Sequence, residues 1–435
     1  MSETGPQGIF AAILVPVLYS VRFPVNAMSE TLIVQKYGGS SLSSSRHIRL
    51  VAEKIASRAR SDNRIIVTVS AMGSTTDRLV KLAHEVTPHP SRRELDMLLT
   101  VGERISMALL SMALNSIGCR AISFTGSQSG IVTSVGHTRA LIEEIRAGRI
   151  EEALAGGHVV IVAGFQGVSR AKEITTLGRG GSDTTSVALA ARFGAARCEI
   201  YSDVAGVFTA DPRIVENARR IPRMSYEEML ELAVLGAKVL HYRAADLARR
   251  FTVPLHLLST FTDGGGTVVG EGTDMEHESI TSITSQKNVA LVRVVSDRSG
   301  SALSDFLRRA IDREVRLASY QRSSDAGRSR LALVVEQDDL PSLREILEEI
   351  AAPGVSAGIE EDLSSVSVVG CGLSCGARAL ARIEQVLDAE GIPVHYVATS
   401  SLSITCLVPA SFGDKAVSVL HSALIDSEKV RPGSV

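Results

Sequence analysis

The sequence has 435 residues, carries a formal net charge of -2 at pH 7 and is 45% hydrophobic. That length suits two or three domains with substantial cores, and the charge offers neither the basic footprint of a nucleic-acid binder nor an acidic tail, so small-molecule chemistry is favoured. Five cysteines, Cys119, Cys198, Cys371, Cys375 and Cys406, are an odd number scattered along the chain and read as reduced thiols in the cytoplasm. Cys371 and Cys375 lack the second Cys or His pair of a structural metal site, and no metal ligands are assigned.

Ile9 to Val21 is an apolar run broken by Pro16 and too short to cross a bilayer. Glu3 stands where a secretory leader is basic, so neither secretion nor membrane attachment is expected. Residues 1–28 read as a disordered extension, because Met28 directly precedes the first strand-forming run. That run, Leu32-Ile33-Val34, leads into Lys36-Tyr37-Gly38-Gly39-Ser40-Ser41 and a helical pattern at Ile48, Val51 and Ile55. Strand, glycine turn and helix make the unit in which phosphates meet backbone N–H groups. No P-loop motif and no protein-kinase signature is present, so the phosphate site belongs to another fold.

Ile65 to Ser70 is the next strand, turning through Ala71-Met72-Gly73-Ser74-Thr75-Thr76-Asp77 into a helix with Leu79, Val80 and Leu82. Leu95 through Ile117 reads as one long amphipathic helix holding Gly102-Glu103-Arg104. Strands follow at Ala121–Phe124 and Val159–Val162, the latter running into Ala163-Gly164-Phe165-Gln166-Gly167. This repeated βαβα order argues for an α/β fold in three layers, a mainly parallel sheet covered on both faces. Ligands of such sheets sit beyond the carboxyl ends of the strands, where Lys36, Ser70, Gly164 and Arg179 all fall. In Gly178-Arg179-Gly180-Gly181-Ser182-Asp183-Thr184-Thr185 the glycines can fold the backbone into a nest of N–H groups at a helix start, a seat for an anion. Arg179 adds a planar fork for a carboxylate or phosphate, and Ser182 or Asp183 is placed to cap the helix.

Further on come Tyr201-Ser202-Asp203-Val204-Ala205-Gly206-Val207-Phe208-Thr209-Ala210-Asp211-Pro212-Arg213 and Gly236-Ala237-Lys238-Val239-Leu240-His241. With the Lys36, Ser70 and Gly178 stretches these make five ordered motifs, and together they resemble the aspartate kinases of the amino acid kinase superfamily. The resemblance covers residues 31 to about 262 closely. It implies transfer of the ATP γ-phosphoryl group to the side-chain carboxylate of L-aspartate, giving 4-phospho-L-aspartate, with Mg²⁺ as cofactor. Lys36 and Asp183 then form the catalytic pair, Lys36 neutralising charge on the transferring group, with Glu103 and Asp183 candidates for holding the substrate ammonium or ordering Lys36. Arg179 pairs with the α-carboxylate, and Ser41 and Ser182 complete the substrate set. Gly38, Gly39 and Ser40 offer donors to the nucleotide, which Ser202, Asp203, Arg213 and Lys238 line. His241 packs or caps. Ser40 replaces a commoner threonine and Tyr242 a usual proline.

Phe261 to Glu278 reads as a linker, after which a βαββα order appears twice. The two units resemble the paired ACT domains of aspartate kinases, ferredoxin-like α+β units that imply an amino acid effector and a homodimer or higher homo-oligomer. The expected division is a catalytic domain over 29–265 and ACT-like units over 280–352 and 353–435, which can interleave. Effector loops depart from the family pattern: Asp297-Arg298-Ser299-Gly300, Gln321-Arg322, Gly370 to Gly376 without its His-Pro pair, and Thr399-Ser400-Ser401-Leu402 without a glutamate. Weakened feedback by lysine or threonine is the expectation. A kinase for another amino acid and a non-catalytic amino acid sensor are the competing readings; the sensor predicts erosion of Lys36, Arg179, Asp183 and Lys238, and all four are present.

Overall fold

The computed structural model describes residues 29–61, 64–272, 279–297, 301–313, 315, 317–325, 328–373 and 377–427. The extension expected over residues 1–28, the Arg298–Gly300 stretch and residues 374–376 lie outside them.

The first half runs β1 (Ser29–Tyr37), α1 (Ser45–Ala59), β2 (Arg64–Val69), α2 (Thr75–Val86), α3 (Arg92–Leu99), α4 (Val101–Ser116), β3 (Ala121–Phe124), β4 (Ile131–Thr133), β5 (Ile142–Ile145) and α5 (Gly148–Ala155). It continues with β6 (Val159–Ala163), β7 (Gln166–Ser169), β8 (Ile174–Thr176), α6 (Gly181–Phe193), β9 (Ala195–Ser202), β10 (Arg223–Ser225), α7 (Tyr226–Val234), α8 (Tyr242–Arg250), β11 (Leu255–Ser259) and β12 (Thr267–Gly270). Eight strands form one sheet in the order β10-β12-β11-β9-β1-β2-β6-β3, parallel from β11 through β3. Alternation of side chains splits the core between its faces. Ile65, Val67 and Val69 pack with Ile48, Val51 and Ile55 of α1 and Leu110 and Leu114 of α4, while Val34, Ile66 and Val160 pack with Val187, Ala188 and Leu189 of α6. All five strands from β9 to β3 therefore deliver their carboxyl ends to one rim, and the small sheet β5-β4-β7-β8 stands beside it.

Two readings are corrected here. The helix expected over Leu95–Ile117 divides at Thr100, whose carbonyl is shared between the Gln166 side-chain amide at 3.2 Å and a stretched 3.4 Å bond from Arg104 N–H. The linker after residue 265 contains β12, drawn into the sheet because the Thr267 hydroxyl donates to Ile221 O at 2.6 Å and accepts from Val207 N–H at 2.8 Å.

The second half is β13 (Ser279–Ser296), α9 (Ser301–Asp312), β14 (Leu317–Asp325), β15 (Arg328–Glu336), α10 (Leu340–Glu349), β16 (Val355–Cys371), α11 (Ala377–Ala389), β17 (Tyr396–Thr399), β18 (Ser403–Pro409) and α12 (Gly413–His421). Its two βαββα units do not make separate sheets. They share one of six strands, β14-β15-β13-β16-β18-β17, because β13 and β16 pair along nearly their whole lengths, from Ser279↔Cys371 to Ser296↔Val355.

Candidate active site

Lys36 is the last but one residue of β1, and its ammonium lies 2.6 Å from Asp183 Oδ1, both side chains only 12% exposed. Asp183 is there because α6 begins at Gly181, beneath the rim of the sheet. Gly178 and Gly180 take positive φ, 77° and 69°, which turns the chain sharply enough to start the helix at that point. Gly180 is the N-cap and no side chain caps the helix, so Ser182 and Asp183 are not caps; they sit in its first turn, facing inward. A Cβ on Gly180 would come within 2.0–2.2 Å of the His241 ring and Cβ, so no other residue fits, and a Cβ on Gly164 would meet Ser182 at 2.8 Å. His241 also caps α8, accepting from Arg243 N–H at 3.3 Å, which bears out the packing and capping reading. Arg179 projects from this turn, exposed and without a hydrogen bond or ion pair among the described residues.

The Gly-Gly turn after β1 fits against the turn after β2: Gly73 N–H donates to Gly39 O at 2.9 Å, and a Cβ on Gly39 would lie 2.9 Å from Ala71 O. The Gly38 N–H, expected to face a ligand, is instead bonded to Tyr201 O at 3.2 Å, tying β1 to β9. Ser41, expected in the substrate set, is fully buried with its hydroxyl 2.6 Å from that of Thr260; the short helical turn Ser40–Leu42 points it into the core. Ser40 donates to Asp203 Oδ1 at 3.3 Å. Glu103 lies in the first turn of α4, not mid-helix, and is 3% exposed. Its Oε1 accepts the Ala71 N–H at 3.1 Å and its Oε2 has no hydrogen-bond partner among the described residues. Burial, only partly offset by backbone N–H donors, pushes its carboxyl up to about 7.

On the β9 side of the rim Asp203, Arg213 and Lys238 form a charged group. Arg213 grips Asp211 through Nη2 at 2.6 Å and Nε at 3.0 Å, and it holds the Asp211 carboxyl below its usual range, with Lys238 contributing. Asp203 in turn acts on Arg213. The Ser202 hydroxyl closes its own turn, accepting from Val204 N–H at 3.1 Å. A polar cavity of about 350 Å³ opens behind β9 among Gln35, Lys54, Arg58, Tyr201 and Asp263, and contains none of the expected site residues.

Sequence reasoning missed three polar groups around this rim, Glu199 and Asp96 buried and Arg243 partly so. Glu199, fully buried, takes hydrogen bonds from Arg197 (2.8 Å), Arg58 (2.9 Å), Gln35 (2.8 Å) and Tyr201 (3.0 Å), and so binds β9 to β1 and α1. Asp96 and Arg243 meet the backbone on either side of the Gly178 turn. Glu199 stands in an alternating strand and Asp96 in a helix, where a polar residue normally marks the wet face, so nothing local marked either as buried. Phe165, at φ 67° beside Gly181, is a bulky residue in a left-handed conformation that its sequence does not announce.

A family model of the amino acid kinase family matches residues 31–259, and one of the ACT domain matches residues 366–424. Aspartokinase of Mycolicibacterium smegmatis is 44% identical over 403 residues, covering 90% of this chain and 96% of that protein. Aspartokinase of Corynebacterium glutamicum is 42% identical over 401 residues, covering 90% and 95%. Among solved structures, E. coli aspartokinase III in complex with aspartate and ADP matches with a TM-score of 0.79 at 25% identity, over 90% of this chain and 99% of that one. Aspartate kinase from Synechocystis matches with a TM-score of 0.52 at 36% identity, over 90% and 69%. With a kinase-type half, an ACT half and relatives aligned almost end to end, the chain belongs to the aspartokinases of the amino acid kinase family.

Proposed function

We propose that the chain transfers the γ-phosphoryl group of ATP to the side-chain carboxylate of L-aspartate at the rim between β1 and α6. The observation that carries the reading is the Lys36–Asp183 pair at 2.6 Å, a cation held at the start of a helix. The substrate carboxylate is already an anion, so the reaction needs positioning and charge neutralisation more than a base. A carboxylate oxygen forms a bond to the γ-phosphorus, the bond to the β–γ bridging oxygen breaks, and the electron pair leaves with ADP. Lys36, oriented by Asp183, meets the charge on the equatorial oxygens. The N–H groups at the start of α6, with Ser182 beside them, add the positive end of a dipole. Arg179 receives the α-carboxylate in its planar fork and Glu103 the α-ammonium. Gly39, Ser40, Asp203, Arg213 and Lys238 form the nucleotide side.

Among the described residues no group of three or more His, Cys, Asp or Glu is arranged to hold a metal. In this reading Mg²⁺ is carried on the nucleotide, its ligands mainly phosphate oxygens and water, with Asp183 or Asp203 within the donor types it accepts. Such an ion would neutralise phosphate charge. The chain's division into a catalytic domain and two interleaved ACT units, with an amino acid effector between them, belongs to the same reading. So does a homodimer: Val101, Ile105, Leu109 and Met112 follow one face of α4 at 39–65% exposure, beside the edge strand β3. The Cys119, Cys198 and Cys406 thiols are free, in keeping with a cytoplasmic enzyme. ADP release measured with hydroxylamine trapping of the acyl phosphate, across aspartate, glutamate and their amides, tests the proposal. Turnover and hydroxamate with aspartate are expected, and turnover with glutamate alone would overturn it.

A further inference from the structure

The turn that carries Arg179 is held from two sides by charges that belong to neither the catalytic pair nor the nucleotide group. Asp96, in α3, is fully buried. Its Oδ1 accepts the Thr176 hydroxyl at 2.5 Å, its Oδ1 and Oδ2 share the Thr138 N–H at 3.1 Å, and its Oδ2 lies 2.8 Å from His137 Nδ1. Thr176 ends β8, three residues before Arg179, and Thr138 belongs to the loop between β4 and β5. One carboxylate thus ties the β4–β5 loop to the strand that feeds the Gly178 turn. Across that turn, Arg243 of α8 reaches both segments, donating to Leu177 O through Nη1 and to Ala140 O through Nη2 at 3.0 Å. Ala140 N–H closes the gap with a 2.9 Å bond to Thr176 O.

Two features show how tightly the segments are fitted. Thr138 has φ 67°, a left-handed conformation that a β-branched residue adopts only under constraint, and such strain gathers at ligand clamps. Its carbonyl stands where a Cβ on Gly178 would come within 2.9 Å. The Asp96 carboxylate is what satisfies the Thr138 N–H in that conformation. Buried charge, backbone strain and close backbone approach all converge on the residues next to Arg179, while Arg179 itself is exposed and engaged by no described residue.

We propose that Asp96 and Arg243 are positioning residues for substrate recognition: they clamp the β4–β5 loop against the Gly178 turn and thereby fix the direction of the Arg179 guanidinium. This rests on the assignment of Arg179 to the substrate α-carboxylate. The clamp is specific to one substrate, because its bonds end on the segments at 137–140 and 176–177 and none reaches the Asp203–Arg213–Lys238 group.

The test compares Asp96→Asn, Arg243→Lys and Arg179→Lys in the full chain, by steady-state kinetics with each substrate varied and by calorimetric titration with L-aspartate alone. The expected result is a rise of about tenfold or more in the KM and dissociation constant for aspartate in all three, with the KM for ATP within about threefold of the parent, a tenfold change being about 1.4 kcal/mol. Asp96→Asn keeps the shape of the side chain, and Arg243→Lys approaches the clamp from the other side and keeps the test decisive where the first variant folds poorly. Equal rises in both KM values, or unchanged aspartate affinity in a folded Arg243→Lys protein, would overturn the clamp. Loss of affinity in Arg179→Lys with none in the other two would overturn the clamp alone. Unchanged affinity in Arg179→Lys would overturn the substrate assignment and the clamp with it.

Discussion

At the residue scale, Glu103 carries the most specific consequence. Its folded pKa of about 7 lies above the value near 4.3 of a free glutamate, so its ionised form is penalised in the fold. The sign follows: the penalty on the free protein is fully present above about pH 7 and is relieved as pH falls from there towards the free value. A substrate ammonium reverses the penalty, because it favours the carboxylate. Aspartate binding should therefore release a proton and weaken below pH 7, approaching tenfold per pH unit at the acid limit. Titrating the aspartate dissociation constant from pH 5.5 to 8.5 checks this against Glu103→Gln, which should bind more weakly and show no such slope. An unchanged slope in that variant would assign the proton elsewhere.

At the scale of elements, the strands β1 and β9 deliver Lys36 and Asp203 to the same rim only if they keep their register, and Glu199 is the residue that joins them. Burial pushes its carboxyl up, but hydrogen bonds from Arg197, Arg58 and Gln35 outweigh that and hold it below the usual range. Such a group contributes stability at neutral pH that is lost as pH falls through its lowered folded value. Replacing it by glutamine should cost about 1–3 kcal/mol, since it leaves the partly buried Arg197 and the exposed Arg58 facing one neutral amide. Thermal denaturation at pH 7 measures this; a variant as stable as the parent would reduce Glu199 to a passive filler. These elements also show what a sequence discloses. The β-branched runs and glycine turns of the parallel sheet could be read because their periodicity is local, and the proposed site residues Lys36, Arg179 and Asp183 stand in or beside those glycine turns. Gln166 drawing on Thr100, Asp96 meeting Thr138 and Thr176, and β12 entering the sheet each depend on partners tens of residues away. Ser41 was misplaced for the same reason: its burial depends on Thr260, 219 residues distant.

Across the whole molecule, two segments of the proposed nucleotide side, those leading to Arg213 and Lys238, are anchored in the ACT half. Thr209, four residues before Arg213, accepts the Ile283 N–H at 2.8 Å and pairs its hydroxyl with the buried His421 at 2.9 Å. Glu231 in α7, which leads to Lys238, accepts the hydroxyls of Ser400 and Ser403 at 2.6 Å and 2.5 Å. Hydrogen bonds to a charged group are worth about 1.5–3 kcal/mol, so Glu231→Ala should raise the KM for ATP by roughly tenfold while leaving that for aspartate within about threefold. The opposite pattern would uncouple the two halves. The altered loop Thr399-Ser400-Ser401-Leu402 is thereby engaged with the kinase half through Ser400, and the departure of the effector loops from the family pattern keeps weakened feedback as the expectation. Lysine and threonine, titrated singly and together, should inhibit only above millimolar levels, and sub-millimolar half-inhibition by either would contradict it. The claim on which all of this stands is that the ammonium held by Asp183 meets charge developing during phosphoryl transfer. The most direct measurement is the kinetics of Lys36→Ala: kcat should fall on the order of 10²-fold or more with a far smaller change in the KM for aspartate, whereas a variant turning over at the parental kcat would remove Lys36 from the mechanism.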